Sequence, residues 1–176
     1  IPCTIHGRFE IDGGDTRNWV VSVWPKWTNL FAGSLPTAVI AADGSFDLRV
    51  EEPGIYRFTF KSPLEQQATT SCSMDIELEV GPNSWNRRLP TGMVRIEAPS
   101  AAATSDKLWR ITGQGPDGVE FERWFEMDTG FPLDLTGIPV GSITLQRSHS
   151  GGQDQGWRAV ANGELESGSS LRLVVE

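Results

Sequence analysis

The chain has 176 residues with a net charge of −8 and a pI near 4.8, which excludes the clustered Lys and Arg that a nucleic-acid or anionic-membrane partner requires. Hydrophobic residues make up 38%, enough for folded cores, and no run approaches the ~20 continuous apolar residues of a membrane span. Nineteen glycines and eleven prolines suit many short turns better than long helices.

In chain order, Ile5, Phe9 and Ile11 share one face with Gly7 against His6, Arg8 and Glu10, so the chain opens with a half-buried strand. Asp12-Gly13-Gly14-Asp15 turns it, and Trp19 to Trp24 is a second strand ended by Pro25. Lys26 to Pro36 is a loop, and Thr37 to Ala41 a third strand. The most informative stretch comes next. Asp43-Gly44 is a turn dipeptide; behind it Phe46, Leu48 and Val50 alternate with Ser45, Asp47 and Arg49. Pro53-Gly54 turns the chain again, and Tyr56, Phe58 and Phe60 repeat the pattern. Lys61 to Thr70 is a polar connection, and Met74, Ile76, Leu78 and Val80 point inward from a closing strand.

Gly81-Pro82-Asn83-Ser84 punctuates the chain, and Trp85 to Arg88 reads as a bridge into its second half. Thr91–Ala98, Lys107–Thr112 and Val119–Met127 are further strands, with Pro99–Asp106 and Ser148–Gly156 as loops. Asp128-Thr129-Gly130-Phe131-Pro132-Leu133-Asp134-Leu135 resembles the Asp43 strand, and Pro139-Val140-Gly141-Ser142-Ile143 resembles the Pro53 turn. Phe46 then aligns with Phe131 and Gly54 with Gly141, spacings of 85 and 87 residues. An internal repeat outranks local signals. The expectation is all-β, with two tandem sandwiches at residues 1–84 and 85–176.

The order strand, Asp-Gly-x-Phe, strand, Pro-Gly-x-Tyr, strand, carried by Asp43-Gly44-Ser45-Phe46 and Pro53-Gly54-Ile55-Tyr56, resembles the carboxypeptidase regulatory-like (transthyretin-like) domains. The second copy carries it loosely, with Ile143 in place of the tyrosine. The resemblance implies seven-stranded Greek-key sandwiches of the prealbumin-like or Ig-like kind, strung in arrays on secreted or cell-envelope proteins and without a shared catalytic site. Related sandwiches serve as starch-binding-like modules.

Candidate chemistry is sparse. His6 and His149 have no close-spaced nitrogen or sulfur ligand and read as solvated, so no metal or cofactor is expected. Asp12, Asp15, Asp43, Asp117 and Asp128 read as turn formers rather than a calcium loop. Glu51-Glu52 face opposite ways, and there is no Gly-x-Ser-x-Gly elbow or His-Glu-x-x-His helix, so no catalytic residue is assigned. Cys3 and Cys72 lie near the first and last strands of the first domain, and a disulfide and two buried thiols both remain open.

Tryptophan is the excess, at seven residues. Trp19, Trp109 and Trp157 read as core. Trp24 and Trp27 flank Pro25-Lys26, Trp85 lies at the join, and Trp124 shares its face with Glu120, Glu122 and Glu126. These four are the candidate ligand-binding residues. They fill a contact with a neighbouring domain, anchor a foreign protein, or stack on a sugar. The chain therefore reads as a non-enzymatic spacer or adhesion-type module from a larger secreted or envelope protein. Its expected partners are flanking domains, another protein or a polysaccharide; the alternative is a carbohydrate-binding module. The start at Ile1 without a methionine or signal peptide, and the end within strand-like sequence, fit an excised piece.

Overall fold

A computed structural model describes residues 2–27, 35–64, 69–98, 108–126, 130–149 and 156–175. It divides into two compact units, one of residues 1–63 and 71–89 and the other of 64–70 and 90–176. Each is an antiparallel-rich β-sandwich with seven strands among the described residues.

The first unit contains β1 (Cys3–Ile11), β2 (Val20–Pro25), β3 (Thr37–Val39), β4 (Ser45–Val50), β5 (Gly54–Lys61), β6 (Thr69–Leu78) and β7 (Gly81–Leu89). One sheet has the order β4-β1-β7, with β7 parallel to β1; the other runs β6-β5-β2-β3. The alternation seen in the sequence sets the faces: Ile5 and Phe9 of β1 and Phe58 and Phe60 of β5 are fully buried. The two sheets meet through their rings, Phe9 stacking on Phe60 at 4.1 Å. Gly7 lies opposite Phe46 in the β1–β4 ladder, and the Phe46 ring covers it, filling the space where a side chain would be.

The second unit repeats the plan with β8 (Thr91–Glu97), β9 (Leu108–Gln114), β10 (Glu120–Glu126), β11 (Leu133–Pro139), β12 (Gly141–His149), β13 (Gly156–Leu165) and β14 (Ser170–Val174). Its sheets are β11-β8-β14, with β14 parallel to β8, and β13-β12-β9-β10. Gly54 opens β5 opposite Leu78, and Gly141 opens β12 opposite Leu165. Both glycines have positive φ, at 142° and 133°, a backbone that side-chain-bearing residues rarely adopt. That equivalence runs at a spacing of 87. The expected match of Phe46 to Phe131 does not hold, since β11 begins at Leu133 and Phe131 stands before it, edge-on to Trp109 at 5.8 Å.

Three other expectations are corrected, and of the two alternatives left open for the cysteines the structure has the buried thiols. Trp85 to Arg88 are not a bridge; they are the last part of β7, hydrogen-bonded along β1. Trp85 packs on the first unit's aromatic core, its ring stacked on Phe60 at 5.4 Å and near Phe9 at 6.5 Å. Val80 lies beyond β6 and is 54% exposed rather than inward. Cys3 and Cys72 are unbonded and fully buried, in opposed sheets. Cys72 pairs with Phe60, whose ring meets Phe9, six residues along β1 from Cys3. At ~3.3 Å per residue that is roughly 20 Å of strand, far beyond the ~7 Å a disulfide tolerates.

Trp157 is the third correction. Counting back by twos from buried Leu165 puts it inside. However, the β12–β13 ladder shifts register between Leu145 and Gln146, so Ala161 faces Leu145 while Ala159 faces Gln146. The extra residue, Val160, is a bulge, and one inserted residue moves everything beyond it to the opposite face. Trp157 is therefore on the outside of the sheet, half-buried. Trp19 and Trp109 are in the core as expected, at 7% and 0% exposure.

Candidate functional site

The candidate site lies on the outer face of β13-β12-β9-β10. Trp124 of β10 pairs with Arg110 of β9, and Arg110 pairs with Gln146 of β12. Trp157 of β13 pairs with Ser148, next along the same face of β12. Residues paired across a ladder lie on the same face, so these four side chains converge. The Arg110 guanidinium stacks on Trp157 at 4.3 Å from the ring centroid and approaches Trp124 at 5.9 Å. The two indoles meet edge to face, 4.9 Å apart at 78°. Arg110 Nε donates to Gln146 Oε1 at 2.5 Å, and Nη1 donates to Glu122 Oε2 at 3.3 Å. A partly desolvated guanidinium held by both a carboxylate and an amide, and lying on an indole, is worth about 1–2 kcal/mol in the cation–π contact alone.

Sequence parity placed Trp124 correctly among Glu120, Glu122 and Glu126. It missed Arg110 and Trp157, because Arg110 joins Trp124 only through the β9–β10 hairpin and Trp157 only through the bulge. It also gave no role to Arg123, which sits inside, between Phe121 and Phe125. Burial lowers its pKa, and its Nη1 donates at 2.7 Å to the Thr136 carbonyl of β11, tying together the two sheets of the unit.

Trp24 and Trp27 belong to the first unit. Trp24, 38% exposed, is on the outer face of β2 opposite Arg57. Trp27, 49% exposed, lies edge-on to buried Tyr56 at 4.8 Å and covers Gly54, where an added Cβ would meet its Cη2 at 3.0 Å. Next to Trp24, Asp75 accepts from Lys26 at 2.7 Å and Arg57 at 3.2 Å, and these bonds, Lys26 foremost, lower its pKa.

The acidic turn residues behave as turn formers where they are described. Asp43 accepts from the Ser45 hydroxyl and backbone amide at 2.6 and 3.0 Å, and Asp15 from Arg17 at 2.8 Å. Asp15, Asp43 and Glu10 do line a polar cleft of about 360 Å³ in the first unit, but Arg8 and Arg88 line it with them. Arg88 is paired with Asp12 and Arg8 with Glu10, so guanidinium groups occupy the place a cation would take. Asp117 holds a positive φ of 62° in the turn after β9; Asp128 lies outside the described residues.

A second constellation was invisible in the sequence. Asp47, His6 and Ser84 stand on three adjacent strands in register, and His6 Nδ1 contacts Asp47 Oδ1. The order imitates a hydrolytic triad. The His6 and Asp47 side chains are 70% and 78% exposed, and among the described residues no hydrogen bond joins Ser84 to His6. A nucleophile needs contact with its base and a dry, donor-lined site for the oxyanion, and an open sheet face offers neither. The side chain of His149, at the end of β12, lies outside the described residues.

Among the described residues no group of three or more His, Cys, Asp or Glu could hold a metal, and no helix is long and apolar enough to cross a membrane. No protein-family model matches the chain, and no curated protein sequence matches it. Among solved structures, the chain is similar to the minor pilin GBS52 of Streptococcus agalactiae: 10% identity, TM-score 0.40, over 99% of this chain and 96% of that one. It is also similar to a putative adhesin from Bacteroides ovatus, with 10% identity and TM-score 0.31 over 98% and 92%. The TIE protein of Bacillus anthracis matches at 12% identity and TM-score 0.34, over 100% of this chain but 34% of that protein. At these identities and TM-scores, none of the likenesses carries a function over to this chain.

Proposed function

We propose that this chain is a non-enzymatic structural module of a secreted or cell-envelope protein, and that its active role is contact through the outer aromatic face of the second unit. The observation that carries this reading is the arrangement of Trp124, Arg110 and Trp157. Two indoles pack around a guanidinium that Glu122 and Gln146 hold on the outer face of β13-β12-β9-β10, outside the core they would otherwise help to fill. Aromatic and arginine anchors are the residue types that dominate binding energy at interfaces. The remaining charged groups support a structural role: Asp15, Asp43 and Asp75 are used within turns or ion pairs. The seven-strand order of both units and the Asp43-Gly44 and Pro53-Gly54 turns support the resemblance to carboxypeptidase regulatory-like domains, in an array with flanking domains.

The test is retention of beads coated with the chain on a cell-surface layer. Wild type is expected to be retained, and Trp124→Ala and Arg110→Ala to lose retention while still unfolding cooperatively, with a melting temperature lowered by no more than about 15 °C. Equal retention of wild type and both variants would sink the reading.

A further inference from the structure

We infer that the outer face of β13-β12-β9-β10 takes an uncharged polysaccharide; this rests on the contact reading and names its occupant. Ladder pairs set the rows that line the face. Across the strands they read Glu122–Thr112–Thr144–Asn162 and Trp124–Arg110–Gln146–Ala159, with the Trp157 ring against Trp124. The face is therefore a lattice of hydroxyls, amides and carboxylates, set at the ~4.8 Å strand spacing, with an aromatic corner.

A protein interface of ordinary make-up has an apolar centre depleted in charge. Here the centre is threonine, glutamine and the Arg110–Glu122 ion pair, and Leu108, half-buried, is the one large aliphatic side chain that the β9 pairing places on this face. Sugar rings match such a surface. Their C–H faces stack on an indole, and their hydroxyls both donate and accept, as the Gln and Asn amides and Thr hydroxyls do. Arg110 lies over Trp157 at 4.3 Å and, more loosely, over Trp124 at 5.9 Å, so the less closely covered Trp124 is the stacking platform, with Gln146 as a polar neighbour across Arg110.

Charge selects among sugars. Glu120, Glu122, Glu126 and Glu164 share the face with Arg110, and Arg110 is committed to Glu122. The field over the face is negative, so sulfated and uronic-acid polymers are repelled and neutral chains are not.

The test uses the full chain on immobilised neutral oligosaccharides (glucans, xylan, mannan, galactan and chitin fragments) beside pectate and heparin, with a titration then read through tryptophan fluorescence. Saturable binding to at least one neutral class is expected. It should weaken at least tenfold in Trp124→Ala, severalfold in Gln146→Ala, and not at all in Trp24→Ala. Gln146→Ala keeps the test decisive should Trp124→Ala fold poorly. Binding to no glycan, binding confined to the polyanions, or neutral binding that survives both β10 and β12 substitutions would overturn the inference. The bead assay separates the two readings. Trp124-dependent retention that persists after periodate oxidation of the layer's sugars would keep the contact reading and defeat the glycan; retention independent of Trp124 would defeat both.

Discussion

Gly7→Ala is the sharpest perturbation of the first unit's core. Gly7 sits in the middle of β1, between buried Ile5 and Phe9, with the Phe46 ring lying across it. An added Cβ would come within 2.5 and 2.7 Å of Phe46 Cε1 and Cε2, and closer still to Cζ. The ring has nowhere easy to go, because it already meets Phe60 at 5.7 Å and Trp85 at 6.1 Å. Overpacking a filled core costs about 1–3 kcal/mol, while removing glycine's extra chain entropy from a strand returns about 0.5–1 kcal/mol. The net expectation is a loss of about 1–2 kcal/mol. For a unit of this size that is a drop in Tm of about 5–15 °C. The assay is urea unfolding with hydrogen exchange read on β1 peptides, and Gly156→Ala as control, since nothing lies within 4 Å of a Cβ there. Adding Phe46→Leu to Gly7→Ala should cost less than the two changes summed, because the smaller side chain frees the space. A Gly7→Ala protein as stable as wild type, or more so, would refute the packing argument.

Trp85→Ala removes a ring stacked on Phe60, Phe9 and Phe58 and should cost about 3 kcal/mol, visible in the unfolding midpoint; a loss under about 0.5 kcal/mol would restore the bridge reading. Burial pushes the Cys72 thiol up to about 12, so folding favours its protonated form. Its contribution is full below pH 9 and falls away between about pH 9 and 12, and a thiol reagent at pH 8 should label neither cysteine until the chain unfolds. A melting temperature that falls on adding reductant would show a disulfide after all. The lowered pKa of Asp75 acts oppositely: its contribution is present above about pH 4 and is lost as acid protonates it. Asp75→Asn should therefore cost at most about 0.5 kcal/mol at pH 7, given the exposure of the pair, and flatten the acid limb of stability against pH. An unchanged acid limb would deny the ion pairs any role.

Local periodicity carried the fold where strands are half-buried and regular. Phe46, Leu48 and Val50 announce β4, and Val94 and Ile96 announce β8, because a two-residue period with one apolar face has few other solutions. It failed where a strand exists only through a distant partner. β7 reads Gly-Pro-Asn-Ser-Trp-Asn-Arg-Arg-Leu, with almost no apolar alternation, and becomes a strand by pairing with β1 about 80 residues away. The site was half legible for the same reason. Trp124 stood out against its own strand's pattern. Trp157 was hidden by a bulge that appears only when β12 and β13 are laid in register, and Arg110 and Gln146 were ordinary polar residues until the ladder put them beside the indoles.

Whether function lies on the outer face of the second unit is tested most directly by oxidative footprinting of the tryptophans, with the chain bound to a cell-surface layer and free. Trp124 and Trp157 are expected to be protected on binding while Trp24 and Trp27 oxidise at unchanged rates. Protection centred on Trp24 and Trp27, or no protection at Trp124 in a chain that is retained, would contradict that placement.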